Sequence, residues 1–118
     1  MGIRLSDEQR EHYQACVALV LDEYIRKRET LTYLALADAV AMPGPQRIHR
    51  VTRLLERLMK EDVEAGRPVR AAVVISRVGS GLPAEGFFDR ARRLGLFDGR
   101  DPGAFHKELL ARLFDSPD

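Results

Sequence analysis

AAVVISRVGSGLPAEGFF, Ala71 to Phe88, is the one strand-like run in a chain that otherwise reads as helices. Its centre, Ala71 to Ile75, is continuously apolar rather than alternating, the pattern of a strand covered on both faces. The spacing predicts a strand over Val69 to Val78, opened by Pro68, then a loop from Gly79 to Gly86 containing three glycines and one proline. A strand must pair its backbone groups, and the available partner inside the chain is Thr30 to Thr32, two threonines around a leucine. Two strands alone are marginal, so packed helices must support them. An edge left open on the strand 69–78 would accept a second copy, and a homodimer through that strand is therefore expected as one mode of association.

Upstream, Ser6 and Gln9 form a capping-box pattern that opens a helix running to about Arg28. Its apolar stripe is Tyr13, Cys16, Val17, Val20, Leu21 and Tyr24. Thr32 is placed to cap a second helix, Tyr33 to about Ala41, which Pro43, Gly44 and Pro45 stop. A third helix, Gln46 to Ala65, carries Ile48, Val51, Leu55, Leu58, Met59 and Asp62 or Val63 inward, with Gly66 just past its end. Downstream, Phe87 to Leu94 reads as a short helix ended by Gly95. Asp101 and Pro102 then open a last helix to Phe114 that buries Phe105, Leu109, Leu110, Leu113 and Phe114. The loop from Gly79 serves as a tight turn that lets Phe87 and Phe88 dock. The expected architecture is one domain over 1–118, mostly α with one or two short strands (α+β). It comprises a winged-helix-like tri-helical core (6–66, helix-turn-helix-like over 32–65), the strand 69–78, and a Gly/Pro loop with two C-terminal helices over 79–118.

Thr32 to Val63, a short helix, a tight turn and a longer amphipathic helix with basic outer residues, is the layout of a helix-turn-helix. Arg50, Arg53 and Arg57 stand at i, i+3 and i+7, so three guanidinium groups share a helix face, with Arg47 one turn before them. Arginine on such a helix suits phosphates and guanine edges. Charge supports that placement. Net charge is only +1, but Arg47 to Arg93 holds 11 basic and 6 acidic residues, against 5 and 7 before it and 3 and 5 after it. Of the 19 basic residues 16 are arginine, a bias that a GC-rich coding sequence explains as well as phosphate recognition does.

Two resemblances attach to these residues. The apolar run Ala71 to Ser76, Arg77, then Gly81, Pro83, Gly86, Phe87 and Phe88, and the helix Ala91 to Gly95, resemble small bacterial proteins with an apolar strand, a basic residue and Gly-x-Pro-x-x-Gly-Phe-Phe. That likeness implies no activity. The run TYLALA, then PGPQRIHRV, then PVRAAVV, spanning about Thr32 to Pro83, is similar in layout to the winged-helix DNA-binding domain of alkylguanine-DNA alkyltransferases and alkyltransferase-like proteins. The resemblance implies that Tyr33 matches the family's DNA-contacting tyrosine and that Arg47 or Arg50 takes the place of its base-displacing arginine. Where the family has its reactive cysteine this chain has Val69, so alkyl transfer, which needs that thiolate, does not carry over.

The remaining chemistry-bearing residues point elsewhere. Arg77, Gly79, Ser80 and Gly81 are a candidate backbone nest for an anion, although no Gly-Lys-Ser/Thr follows as in a phosphate-binding P-loop. His12, His49 and His106 lie on three helices without metal spacing, so neither a metal nor a cofactor is expected. His49 is expected at the surface beside Arg50. The single cysteine, Cys16, excludes an intramolecular disulfide and reads as a small buried hydrophobe. No Ser/His/Asp set stands out, and the carboxylate pairs Glu61 with Asp62 and Asp98 with Asp101 read as helix surface and cap. No apolar run reaches a membrane span and no leader precedes the first helix, so a cytoplasmic location is expected. The functional expectation is a small non-enzymatic protein that binds double-stranded DNA through Tyr33, Arg47, Arg50, Arg53 and Arg57. The alternative is a protein-interaction or dimerisation module.

Overall fold

A computed structural model describes residues 4–77 and 81–115. The elements in order are α1 (Asp7–Lys27), β1 (Leu31–Thr32), α2 (Tyr33–Ala39), α3 (Arg47–Glu64), a 3-10 turn (Arg70–Val73), β2 (Val74–Ile75), α4 (Glu85–Arg93) and α5 (Pro102–Phe114). Among the described residues helices dominate, and one sheet forms, the pair β1 and β2 in parallel, with Leu31 opposite Val74 and Thr32 opposite Ile75. Parallel strands need a long crossover between them, and here α2 and α3 are that crossover.

The helix starts follow from local chemistry. Ser6 accepts from the Gln9 N–H at 3.1 Å while Gln9 returns a bond to the Ser6 N–H at 2.8 Å, closing the capping box. Thr32 Oγ1 accepts from the Ala35 N–H at 3.1 Å, and Asp101 accepts from the Ala104 N–H at 3.1 Å with Pro102 directly behind it. Gly66 follows the end of α3 at φ +72°, a left-handed conformation that a side chain would strain.

The segment that opened the sequence analysis departs from its expectation. Among its described residues only Val74 and Ile75 are strand. Arg70 to Val73 wind into a 3-10 turn, and Val78 lies outside the described residues. The cause is Asp62 on α3. Its carboxylate accepts from the Arg70 backbone N–H at 3.1 Å, so a donor that a strand would have sent sideways to a neighbour points back at a helix. Ala71 and Ala72, at 2% and 0% exposure, are small enough for the turn to sit in the middle of the core against α1, α3 and α5. Continuous apolarity reported burial correctly and conformation incorrectly. The strand described on this run is two residues long.

Val17 and Leu21 of α1, Leu36 and Ala37 of α2, Val51, Leu54, Leu55, Leu58 and Met59 of α3, and Val73 and Val74 form the core. Leu109 and Leu113 of α5 extend it. Phe88 packs edge-on to Phe87 at 5.3 Å between ring centres, and Phe97 stacks on Phe105 at 4.5 Å, which fastens the α4–α5 corner. Phe105, Leu110 and Phe114, expected inside, are only partly buried at the margin of this core. Cys16 is likewise half-buried, with Sγ 3.7 Å from His12 Nε2 one turn earlier. No helix among the described residues is long and apolar enough to cross a membrane.

His106 lies on α5 next to Phe105 and outside the set of residues expected to be buried there. It is buried, and one ring nitrogen, Nε2, lies 2.8 Å from the Ala72 carbonyl in the 3-10 turn, a contact that fixes the proton on Nε2 in the neutral ring. Burial pushes its pKa below the ordinary 6.5, and the bond to Ala72 opposes this in part. Because the unfolded chain then binds the proton more readily, this contribution to stability is complete above pH about 6.5 and drains away as pH falls toward the folded-state value. Urea midpoints measured from pH 7.5 to 5 should fall with pH, and His106→Gln, which keeps a donor for Ala72, should flatten the decline. An equal decline in the variant would assign it to other groups.

Candidate nucleic-acid interface

The corner between α2 and α3 is built by residues of both helices. Ala41 at φ +53° and Gln46 at φ +61° bracket the turn, two left-handed non-glycine residues that need outside support. Arg47 supplies it: Nε donates to the Met42 carbonyl at 2.7 Å, and Nη2 donates to the Asp38 carboxylate at 2.7 Å. Arg50 Nη1 donates to the Pro43 carbonyl at 2.8 Å. These arginines satisfy carbonyls that the tight turn leaves without backbone partners.

The arginine face is thereby divided. Arg57, farther along α3, pairs with Glu11 of α1 at 3.2 Å and with Glu61 at 3.7 Å, both partners well exposed. Arg53 is exposed and, among the described residues, makes no side-chain hydrogen bond or ion pair. The reason is helical geometry. At about 100° per residue, Arg53 shares the outward direction with His49 and Lys60, both exposed, while Arg50 and Arg57 lean to one side, Arg50 to the turn before α3 and Arg57 to α1. Sequence spacing placed the three on one side of α3 but could not tell centre from flank.

Ile48 is corrected outright: expected inside, it is 48% exposed. It stands on the first turn of α3. Leu34, the turn from Gly44 to Gln46, and Arg47, Ile48 and His49 line an open groove of about 680 Å³. Gln46 gives no side-chain cap, and no acidic residue occurs between Asp38 and Glu56, so the first half of α3 is purely cationic.

Tyr33 is half-buried, and its hydroxyl accepts the Ala84 N–H at 3.0 Å, which joins α2 to the segment before α4. Burial pushes its phenol above the usual value of 10, with the Ala84 bond opposing in part. The hydroxyl oxygen is thus engaged, while its own proton is still available to donate. Of the candidate anion nest, Gly79 and Ser80 lie outside the described residues. Arg77 is exposed, and Gly81 takes φ +78° beside a loop closed by the Ser76 N–H to the Leu82 carbonyl at 2.8 Å. Val69 is 3% exposed, a core position. Among the described residues no three His, Cys, Asp or Glu side chains gather as a metal site.

Sequence reasoning left one charged centre undecided. Asp62, placed either in the inward stripe or on the helix surface, is 0% exposed. It receives Arg67 Nε at 3.0 Å and Arg70 Nη2 at 2.9 Å, and Arg70 Nη1 continues to Asp22 of α1 at 3.3 Å. The available signal was an acid in phase with Leu55, Leu58 and Met59, which demands a buried cation. No family profile matches the chain, and no curated protein or solved structure is significantly similar to it.

Proposed function

We propose that the chain is a small non-enzymatic protein that binds double-stranded DNA with the first half of α3, in a winged-helix-like arrangement of α1, α2 and α3. The observation that carries this reading is the acid-free tip of α3, on which Arg53 stands exposed and unspent between His49 and Lys60. Arg50 and Arg57 border it and join when phosphates replace their present partners. The layout likeness to the alkyltransferase DNA-binding domain adds support for DNA as the ligand, without its chemistry.

The division of the arginines gives a graded test. Binding of a labelled mixed-sequence duplex, followed by anisotropy from 50 to 200 mM salt as a chosen range, should weaken steeply as counterions are retained. Arg53→Ala should lower the salt slope by about 1, the worth of one phosphate contact, and the variant lacking Arg50, Arg53 and Arg57 should lose binding at every salt concentration. A urea titration of the triple variant separates lost contacts from a loosened turn, because Arg50 also holds Pro43. Negligible binding of the unaltered protein at low salt, or full affinity in the triple variant, would sink the proposal and favour the interaction-module alternative.

A further inference from the structure

Resting on the DNA reading above, we infer that the groove at the tip of α3 takes thymine methyl groups, so that Ile48 makes the chain prefer thymine-bearing sites in the major groove. Ile48 is one of three large hydrophobes exposed among the described residues, with Leu19 and Leu96, and the only one of them that lines the groove. An isolated exposed hydrophobe needs no explanation. Ile48 is not isolated: Leu34 and Pro45 share its groove and make an apolar floor. Arg47, already paired with Asp38, and His49 flank that floor, Arg53 follows one turn later, and no further carboxylate stands in the run from Ala39 to Leu55. A protein or lipid partner would have to bring its own negative charge to such a rim, whereas duplex DNA brings apolar groups and phosphates together.

Among the base edges of DNA, the thymine C5-methyl is the apolar group on offer, and it lies in the major groove, which is wide enough to admit an α-helix. A helix whose cations meet the phosphates on either side carries its first-turn side chains to the groove floor. Ile48 is on that first turn, since α3 begins at Arg47. The cations then hold the duplex and Ile48 supplies preference.

Replacing thymine by deoxyuridine removes the methyl and leaves charge and base pairing as they were. Anisotropy with two labelled duplexes of one A·T-rich sequence, one containing thymine and one deoxyuridine, should show the unaltered protein binding the uracil duplex about fourfold more weakly for each methyl buried, the worth of one methyl-sized apolar group. Ile48→Ser, a change at a half-exposed position, should bind both duplexes alike while retaining the salt dependence. Equal affinity of the unaltered protein for the two duplexes would overturn the inference with DNA binding intact. Absence of binding to both would overturn the DNA reading and this inference together. If the duplexes bind equally and Ile48→Ser instead turns a dimer into a monomer in sedimentation, the groove belongs to a second copy of the chain, which also overturns the inference.

Discussion

Asp62→Ala should cost the protein about 4 kcal/mol, because deleting one member of a buried ion pair strands the other. Asp62 is wholly enclosed and accepts from Arg67, from both Nε and Nη2 of Arg70, and from the Arg70 backbone N–H. Without it the Arg70 side chain, 18% exposed, keeps only Asp22 at 3.3 Å, and the amide that shapes the 3-10 turn loses its acceptor. A small domain has about 5–15 kcal/mol in total, so the variant should unfold at a much lower urea concentration, or not fold at 37 °C. The companion experiment separates a charge effect from a packing effect. Asp62→Leu combined with Arg70→Met replaces the pair by apolar groups and should recover much of the loss, as hydrophobic replacements of buried pairs do elsewhere. A loss below about 1 kcal/mol for Asp62→Ala would mean that water reaches the site and that the carboxylate does not organise the turn.

Leu36→Ala should be nearly as severe, at about 3 kcal/mol, within the range for a buried leucine whose cavity cannot collapse. Leu36 is 0% exposed on a helix of seven residues. Such a helix has no stability alone, so it exists because Leu36 and Ala37 anchor it and Thr32 caps it. The expected signature is specific: beyond the lowered urea midpoint, hydrogen exchange should accelerate in α2 and in the turn to Gln46 more than in α1. The DNA affinity proposed above should fall too, since Asp38 and the Met42 carbonyl position Arg47. A loss under about 1 kcal/mol with unchanged exchange in α2 would show that the seam with α3 is maintained by other residues.

These residues also show what a sequence discloses. Ser6 with Gln9, Thr32, and Asp101 with Pro102 were legible because a cap is settled within four residues of chain. The stripe Val51, Leu55, Leu58 and Met59 was legible because period and burial coincide on α3. The strand 69–78 was misread because a carboxylate several residues upstream recruits the Arg70 amide, and a short-range pattern holds no record of that bond. Ile48 was misplaced because periodicity gives a direction around a helix but not how far the neighbouring helix extends. The candidate interface was legible as a set of arginines. Their partners were not, because the Met42 and Pro43 carbonyls become acceptors only once the turn is made, and Glu11 approaches Arg57 only once α1 and α3 pack.

The parallel pairing of Leu31 with Val74 and Thr32 with Ile75 has a consequence for how this chain can be varied. Both ends of the α2–α3 corner are tied into one clasp, with β1 leading directly into α2 and β2 following from the Asp62-anchored turn. The corner is thus not a cassette that can be excised, grafted or swapped like a hairpin at the edge of a scaffold. A length change inside α2 or α3 turns every later side chain of that helix by about 100° per residue against the core. The α3 tip is therefore bound to change by substitution rather than by growth.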